Sequence, residues 1–534
     1  MARLTGGEAV VRSLLAHGLD TLFGLPGVQN DWLYNALYDA APRVRVIHTR
    51  HEQGAAYMAL GASLVTGDIA VCNVVPGPGM LNASAALATA YALNARLLLL
   101  CGQIPLAQIG RDLGVLHELP DQLGILRSLT KHAARISAVS EAPSRIAEAV
   151  AQLRSGRPRP VALEVPMDVL QSRAAVGPAA PPWPVYRPPL DTDAIEAAAQ
   201  ALQSARAPLI FVGNGAQGAS QSVRTLAEFL QAPVVGYRTG RGVLDSRHPL
   251  SCVLPEARPL WAQCDLVLAL GTSVRGPLQS WGHAADRKLI RIDVDPAVHT
   301  RHGKPDVAIC ALLEDALPAL IDTLTRHERP RPARHAAMAA LHADWQVRCG
   351  TLAPQIGFLR VIREALGEDG IFVDELTQVG FASRILMPVY HPRTFLSTGY
   401  MGTLGYGFPT ALGAKAVRAR QRVLSVTGDG GFLFGIAELA TAVQHQIPLV
   451  TVLFNNNCYG NVQQMQRNLY GGRVIASDLS NPDFERLVQS FGAYYDRATT
   501  PAELATALER AFGAHSPAVV EVPVGDMPSA DAFR

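Results

Sequence analysis

Short aliphatic runs alternate with alanine-rich stretches of helical character along the 534-residue chain. Runs such as LLLLC (97–101) and LVTVLF (449–454) are apolar at almost every position. A strand with one face in water alternates apolar and polar residues, whereas a strand covered on both faces carries a continuous apolar run. The pattern therefore predicts an α/β fold in which helices cover both faces of parallel sheets.

Two proline-broken segments, 178–189 and 326–334, interrupt this alternation and are predicted to be linkers. They divide the chain into about 1–175, 190–325 and 345–534, which suits the usual size of a domain. We therefore predict three doubly wound parallel-sheet α/β domains. The clearest predicted elements are strand 44–49, helix 52–66, strand 69–75, helix 80–93, strand 97–101, strand 370–374, strand 394–398, helix 405–418, strand 422–427, helix 433–445 and strand 449–454.

Composition excludes several classes of protein. Hydrophobic residues make up 49% and charged residues 17% of the chain, which excludes a disordered protein. The formal charge of only +2 argues against a nucleic-acid partner or an anionic membrane partner. The 7 cysteines lack zinc or disulfide spacing, and we expect a cytoplasmic protein. The apolar stretch 87–107 is interrupted by Asn94 and Arg96, so we expect no membrane span.

Polar residues follow two predicted strands in the last third of the chain. One strand runs into GDGG (428–431), and the next ends in three asparagines, with Asn456 lying 27 residues after Asp429. Because neighbouring parallel strands end at the same sheet edge, these residues are expected to lie side by side where α/β proteins bind ligands. Carboxylate and amide oxygens suit Mg²⁺, and glycines let backbone amides approach phosphate. GDGG alone would be an ordinary turn, but the spaced asparagines favour a metal and diphosphate site.

A second motif, RHEQGAA (50–56), begins a predicted helix directly after a strand. A glutamate at a helix start usually only balances the helix dipole. Here the motif resembles the catalytic glutamate segment of the thiamine diphosphate-dependent decarboxylases and acetolactate synthases, and GDG followed by NN resembles the cofactor signature of the same family. The resemblance implies thiamine diphosphate and magnesium as cofactors. It also implies that Glu52 bonds N1′ of the aminopyrimidine and assists proton removal from C2, which requires a buried carboxyl with a raised pKa.

The resemblance extends over nearly the full length, in the order that the family shows. It implies that Asp429 and Asn456 bind magnesium through their side chains and that Cys458 binds it through its main-chain carbonyl. Leu404 lies where a bulky side chain bends the cofactor, a position usually held by Met in acetolactate synthases. The implied cofactor-binding residues are Pro26, Glu52, Asn82, Gln103, Val379, Gly380, Gly402, Thr403, Leu404, Asp429, Gly430, Gly431, Asn456, Cys458, Tyr459 and Gly460.

The chain departs from acetolactate synthases where the acceptor substrate would bind. Gln29 replaces a small residue after Pro26-Gly27, Met465 replaces a tryptophan, and His117 lies within Leu-His-Glu where the family has Phe-Gln-Glu. His117 is interpreted either as a group that bonds substrate and transfers protons or as a structural residue. Lys131 matches the position of an active-site lysine in acetolactate synthases. The candidate catalytic residues are Glu52, Gln29, His117 and Lys131.

The resemblance favours a carboligase that acts on 2-oxo acids, similar to acetolactate synthase, with pyruvate as donor. Alternatives are a lyase of the benzaldehyde lyase or 2-hydroxyacyl-CoA lyase type, a simple 2-oxo acid decarboxylase, and a regulatory homologue that binds the cofactor without catalysis. The retained Glu52, Asp429 and Asn456 argue against the last. The family also implies a homodimer or homotetramer, because Glu52 of one subunit meets the metal site of another.

The middle third contains the sequence GNGAQG (213–218) after the strand PLIFV. This is formally a GxGxxG motif, but alone it is at least as consistent with a structural turn as with a nucleotide site. The central domain of the family binds FAD in acetolactate synthases and is empty or holds ADP in relatives. FAD therefore stays an open alternative.

Overall fold

The computed structural model describes residues 2–282, 286–327 and 329–533, so part of the predicted linker 326–334 lies outside the described residues. The chain forms two compact units. The first comprises Met1–Tyr186, Thr398–Thr499 and Thr506–Pro523, and the second comprises Arg187–Ser397, Thr500–Ala505 and Val524–Arg534. Among the described residues, no helix has both the length and the apolar character needed to span a bilayer.

The first third of the chain folds around a parallel sheet of six strands in the order β3-β2-β4-β5-β7-β6, and an antiparallel pair, β1 and β8, lies apart from it. The strands are β1 (Ala2–Thr5), β2 (Thr21–Gly24), β3 (Arg45–His48), β4 (Ala70–Val74), β5 (Leu97–Gln103), β6 (His132–Arg135), β7 (Val161–Pro166) and β8 (Arg173–Val176). The helices are α1 (Gly6–Ala16), α2 (Asp31–Ala40), α3 (Glu52–Thr66), α4 (Pro78–Leu93), α5 (Gln122–Leu129), α6 (Ala142–Arg154) and α7 (Met167–Gln171). Every residue of β4, β5 and β7 is buried, which explains the apolar run LLLLC at the start of β5.

The middle third folds around a second parallel sheet, in the order β11-β10-β9-β12-β13-β14. Its strands are β9 (Pro208–Val212), β10 (Val234–Gly236), β11 (Ser251–Val253), β12 (Leu266–Leu270), β13 (Lys288–Asp293) and β14 (Val307–Cys310). Its helices are α8 (Thr192–Ser204), α9 (Ser220–Leu230), α10 (Arg258–Trp261), α11 (Arg275–Ser280), α12 (Val298–Arg301) and α13 (Leu313–His327).

The glycine-rich turn after β9 packs directly on the turn after β12. A side chain on Gly213 would place its Cβ 2.5 Å from the carbonyl oxygen of Gly271, and one on Gly215 would place it 2.8 Å from Gly271 Cα. The two backbones therefore approach each other too closely for any larger residue. This packing accounts for Gly213 and Gly215 of the GxGxxG motif without a ligand.

The last third contains β15 (Ile371–Val373), β16 (Phe395–Leu396), β17 (Val423–Gly428), β18 (Val450–Asn455), β19 (Tyr494–Arg497) and β20 (Ala518–Pro523). In the second unit β15 pairs with β16, and in the first unit the strands run in the order β17-β18-β20-β19, all parallel. The helices are α14 (His335–Cys349), α15 (Ala353–Leu366), α16 (Gln378–Leu386), α17 (Gly407–Val417), α18 (Asp429–Gly435), α19 (Glu438–Gln444), α20 (Gly460–Leu469), α21 (Phe484–Ser490) and α22 (Pro501–Gly513).

Helices α3 and α17 join the first and last thirds of the chain within the first unit. A side chain on Gly61 would overlap the carbonyl oxygen of Thr410, and one on Gly413 would overlap that of Met58. Small residues therefore let the two helix backbones touch. This contact fixes α3, whose first residue is Glu52, against the part of the chain that carries GDGG.

The predicted fold class is confirmed, since three parallel-sheet α/β domains are present. One element differs from its prediction: the helix predicted at 433–445 begins earlier, at Asp429, and is interrupted at Ile436 and Ala437, which gives α18 and α19. Gly428 thus ends β17, and Gly430 and Gly431 lie in the first turn of α18. The domain boundaries 1–175, 190–325 and 345–534 stay predictions.

Candidate functional site

Glu52 lies at the carboxyl edge of the first sheet. It is the first residue of α3 and follows the three-residue loop after β3. Its Oε2 accepts a hydrogen bond of 3.0 Å from Nδ2 of Asn82 on α4. A Cβ on Gly79, at the start of α4, would lie 3.3 Å from Oε1 of Glu52. The structure therefore brings together two segments that lie about thirty residues apart in the sequence, RHEQGAA (50–56) and GPGMLN (77–82).

The exposure of Glu52 matters for its predicted role. Its side chain is half-exposed in a single chain, whereas proton sharing with the aminopyrimidine needs a buried carboxyl. A second subunit would have to provide the remaining cover, as the family resemblance implies.

The GPG turn after β4 is held from behind by a buried polar network. The N–H of Gly77 donates to Oε1 of Gln122, whose Nε2 donates to Oε2 of Glu164, both at 3.0 Å. Gln103, predicted to bind cofactor, donates to the same Oε2 at 3.0 Å and accepts from the N–H of Ile104 at 2.8 Å. Gln103 is therefore engaged within the protein and supports the turn. Gln122 and Glu164 belong to no recognisable motif, so the sequence alone does not single them out.

Gln29 and His117 lie beside the same turn. Gln29 is 3% exposed, its Nε2 donates to the carbonyl oxygen of Leu116 at 3.1 Å, and its Oε1 is buried without a partner. The Nδ1 of His117 is also buried without a partner, and the His117 backbone lies against Gly77, where a Cβ would be 2.6 Å from the His117 oxygen. Two residues that depart from the acetolactate synthase pattern thus lie together, each with an unsatisfied polar atom.

The loop that carries Pro26 and Gln29 is shaped by a residue that the motif comparison did not select. Oδ1 of Asn30 accepts from the N–H of Gly27 at 2.7 Å, and its Nδ2 donates to Oδ1 of Asn73 at 2.8 Å. Asn30 is fully buried. This pairing ties the loop to β4 and leaves Pro26 exposed at its tip.

Lys131 lies away from these residues, at the amino end of β6. Its Nζ donates to the carbonyl oxygens of Gln152 at 2.7 Å and Arg157 at 3.1 Å, and also to that of Ser155. These carbonyls follow or end α6, so the ammonium caps that helix terminus. The structure does not bring Lys131 to the candidate site, because ligands of a parallel sheet bind at the opposite, carboxyl edge.

Asp429 begins α18 and is 2% exposed. Burial raises the pKa of its carboxyl, while a hydrogen bond from Asn481 and backbone bonds from Gly430 and Asn457 oppose that rise. No lysine or arginine in the described part of the chain forms an ion pair with it. A buried carboxylate without a countercharge is costly, and a divalent cation would supply that charge.

The asparagines after β18 surround the same carboxylate. Nδ2 of Asn481 donates to Oδ2 of Asp429 at 2.7 Å and to Oδ1 of both Asn455 and Asn457 at 3.1 Å. Asn456 lies against Gly460, where a Cβ would be 2.5 Å from its Nδ2. Oxygen-bearing side chains therefore converge at the carboxyl ends of β17 and β18, which are paired parallel.

The loop after β18 is closed by the segment 477–481. The N–H of Tyr459 donates to the carbonyl oxygen of Ser477, and the N–H of Leu479 donates to that of Asn457, both at 2.8 Å. Cys458 is buried and forms an isolated bridge with Asp478. The described residues contain no group of three His, Cys, Asp or Glu side chains able to hold a metal.

The other predicted cofactor residues lie in three places. Gly430 and Gly431 are buried in the first turn of α18, and a Cβ on Gly430 would be 2.5 Å from the ring of Tyr459. Oγ1 of Thr403 lies 3.1 Å from Oγ1 of Thr89, in a loop where Gly402 has φ +59° and Leu404 is half-exposed. The buried pair Val379 and Gly380 belongs to the second unit, in the first turn of α16.

Replacing Asn481 with alanine should weaken magnesium binding about 10- to 100-fold, because groups that orient metal ligands contribute on that scale. The change removes the donor that holds Asp429, Asn455 and Asn457 together. Magnesium titrations in the presence of thiamine diphosphate, followed by calorimetry and by the shift in melting temperature, measure the effect. Ser480→Ala, at an exposed neighbour, is the matched control. Equal magnesium affinity in the two variants would contradict the assignment.

Comparison with known proteins supports these motifs. Three family models match: the N-terminal thiamine pyrophosphate binding domain over residues 4–125, the central domain over 195–320, and the C-terminal thiamine pyrophosphate binding domain over 376–522. The solved structure of the Rhodococcus jostii RHA1 thiamine diphosphate-dependent 4-hydroxybenzoylformate decarboxylase has a TM-score of 0.84, with 24% identity over 98% of this chain and 99% of that one. At that identity the likeness shows the fold.

Two curated relatives cover nearly the whole chain. A probable acetolactate synthase large subunit from Methanocaldococcus jannaschii is 32% identical over 98% of this chain and 92% of its own length. A probable 2-ketoarginine decarboxylase from Pseudomonas aeruginosa is 34% identical over 97% of this chain and 94% of its own length. Together with the family models, these matches confirm the resemblance on which the sequence analysis relied. The chain therefore belongs to the thiamine pyrophosphate enzyme family, and it is a thiamine diphosphate-dependent enzyme of carbon–carbon bond chemistry.

Proposed function

We propose that this enzyme uses magnesium and thiamine diphosphate to decarboxylate a 2-oxo acid and to join the product to a second carbonyl compound, with pyruvate as donor. The observation that carries the proposal is the bond between Glu52 and Asn82 beside Gly79, because it aligns a carboxyl at the ligand edge of the first sheet. Relatives named acetolactate synthase and 2-ketoarginine decarboxylase support a 2-oxo acid as substrate.

Asp429, Asn456 and the main-chain carbonyl of Cys458 would hold the metal. The buried, uncompensated carboxylate of Asp429 fits a divalent cation, and the neighbouring amide oxygens fit its preference for hard ligands. Gly430 and Gly431 lack side chains, which leaves their backbone amides accessible to a diphosphate. When bound, thiamine diphosphate supplies the electron sink that decarboxylation requires.

Glu52 would carry the proton transfer. Asn82 donates to Oε2, which leaves Oε1 available to share a proton with the aminopyrimidine. Because Glu52 is half-exposed in one chain, we propose that a second subunit completes each site, in a homodimer or a homotetramer. That subunit would exclude water from the carboxyl.

A second candidate is decarboxylation of a 2-oxo acid whose side chain donates hydrogen bonds, without carboligation. Gln29 favours it, because its buried Oε1 can only accept and has no partner among the residues that the structure describes. An unsatisfied buried acceptor costs about 1–3 kcal/mol, and the methyl group of pyruvate would leave it unsatisfied. A guanidinium or ammonium group of a substrate would satisfy it.

The two candidates are separated by product analysis. Purified protein with magnesium and thiamine diphosphate is supplied with pyruvate in one sample and 2-ketoarginine in another, and NMR follows substrate loss and product identity. Acetolactate from pyruvate is the result that the first candidate predicts. Untouched pyruvate with aldehyde formed from 2-ketoarginine would replace it with the second. If neither 2-oxo acid reacts, both are wrong, and acyloin and 2-hydroxyacyl-CoA cleavage become the substrates to examine.

A further inference from the structure

Glu438, the first residue of α19, is a buried carboxylate whose partners lie far away in the sequence. It is 1% exposed. Its Oε1 accepts from the N–H of His51 at 2.9 Å, and its Oε2 accepts from the N–H of Arg50 at 3.1 Å and from Oγ1 of Thr441 at 2.6 Å. The two backbone donors are the residues immediately before Glu52, so Glu438 holds the loop from which the predicted catalytic carboxylate emerges.

The motif RHEQGAA itself is shaped by this contact. A side chain on Gly54 would overlap Oε1 of Glu438, so only glycine fits the third position of α3. The exposed end of α19 adds a weaker contact, because Nη2 of Arg50 donates to Oε1 of Gln444 at 3.0 Å. Gly54 therefore leaves space for the carboxylate of Glu438, which belongs to a distant segment of the chain.

Glu438 also lies close in sequence to the predicted metal ligand. It follows Asp429 by nine residues, and α18 and α19 are separated only by Ile436 and Ala437. Asp429 and Glu438 thus begin two consecutive helices, α18 and α19. Glu438 accepts hydrogen bonds from the loop before Glu52. The contact mechanically links the two predicted cofactor-binding segments of the chain.

We propose that Glu438 is a positioning residue for Glu52: by accepting the N–H groups of Arg50 and His51, it fixes the first turn of α3 and hence the direction of the Glu52 carboxyl. This inference rests on the proposed function of Glu52. Glu438 does not touch the reacting atoms in this account. Without its carboxylate, the two N–H groups lose their acceptor, the first turn of α3 is free to move, and the bond between Glu52 and Asn82 is no longer aligned.

The test separates positioning from a purely structural role. Glu438→Gln keeps the size of the side chain, but one of its two accepting oxygens becomes an amide NH2 group, which cannot accept a backbone N–H. Exchange of the C2 proton of bound thiamine diphosphate for deuterium is measured at saturating magnesium and cofactor, together with cofactor affinity and melting temperature. We expect exchange to slow at least about tenfold, a fraction of a full general-base effect, while cofactor affinity changes less than about threefold.

Controls keep the outcome decisive. Gln444→Ala removes the exposed contact to Arg50 from the same helix and should leave exchange unchanged. Glu438→Asp retains the charge and should recover part of the exchange rate. If Glu438→Gln does not fold, Gly54→Ala imposes a related displacement from the other side of the contact and should slow exchange similarly.

Two results would overturn the inference. One is wild-type exchange in Glu438→Gln, and the other is a loss of exchange that disappears once lowered cofactor occupancy is corrected. If the wild-type protein itself fails to accelerate exchange, the proposed function of Glu52 is wrong and the inference falls with it. Wild-type acceleration with an unaffected Glu438→Gln variant would overturn only the positioning role.

Discussion

Glu52→Gln should bind magnesium and thiamine diphosphate normally but lose about 10²- to 10⁴-fold in C2 proton exchange, the usual contribution of a positioned acid or base. The amide keeps the size of the side chain and is still able to bond Asn82, but it cannot share a proton with the aminopyrimidine. The exchange is measured by NMR after timed quenching in deuterated buffer, with binding followed separately by calorimetry.

Gln53→Ala, at the neighbouring half-exposed position, is the matched control for Glu52→Gln and should exchange at the wild-type rate. If Glu52→Gln exchanges as fast as the wild type, another group removes the proton. If instead the variant loses cofactor affinity in proportion to exchange, Glu52 contributes binding rather than proton transfer.

Asp429→Ala should lose at least about 100-fold in magnesium affinity, because it removes a charged ligand and not merely a group that orients one. The protein without cofactor should keep its melting temperature or gain slightly, since the deleted carboxylate is buried and has no cationic partner among the described residues. The rise in melting temperature that magnesium and thiamine diphosphate give the wild type should then disappear.

The melting temperature of the cofactor-free protein and its rise with magnesium and thiamine diphosphate together distinguish a metal ligand from a structural carboxylate. A structural Asp429 would lower the melting temperature of the cofactor-free protein when deleted and leave the response to magnesium intact. Asp478→Ala, an exposed carboxylate in the loop that covers the asparagines, is the control. Retained magnesium affinity in Asp429→Ala would place the metal elsewhere.

Much of the fold follows from local sequence patterns. Strands such as β4 and β5 are buried on both faces, so their continuous apolar runs are a direct consequence of their position in the sheet. The break between α18 and α19 could not be predicted, because the segment from Asp429 to Gln444 has one continuous apolar pattern and the interruption depends on what each helix packs against. Of the glycines of GDGG, Gly430 and Gly431 lie in the first turn of α18, where a Cβ on Gly430 would meet the ring of Tyr459.

The residues of the candidate site also fall into those that a sequence motif selects and those that only the folded structure reveals. Glu52, Asp429 and Asn456 lie in motifs whose residues are close in sequence, so pattern alone selects them. Glu438 and Asn481 act through contacts with segments 387 and 52 residues distant, and nothing near them in the sequence announces those contacts. The overlap of a Gly54 side chain with Glu438 is a relation between two segments that only the folded chain reveals.

Lys131 is a residue that a motif match selects but that the structure does not bring to the candidate site. Matching its position to the family assigned an active-site lysine, but the side chain reaches the carbonyls at the end of α6 and caps that helix. A lysine at the start of a strand meets the amino edge of a parallel sheet, where ligands do not bind. A motif match therefore identifies an active-site residue only when the direction of the strand also brings that residue to the carboxyl edge of the sheet.

C2 proton exchange of thiamine diphosphate on the wild-type protein tests this assignment without any assumption about the substrate. The cofactor is mixed with excess protein in deuterated buffer, once with magnesium and once with a chelator, and exchange is compared with that of the free cofactor. We expect the magnesium sample to exchange at least about 10²-fold faster than the free cofactor and the chelated sample to lose that acceleration. Exchange at the rate of the free cofactor, with magnesium present and binding demonstrated, would contradict the roles given to Glu52 and Asp429.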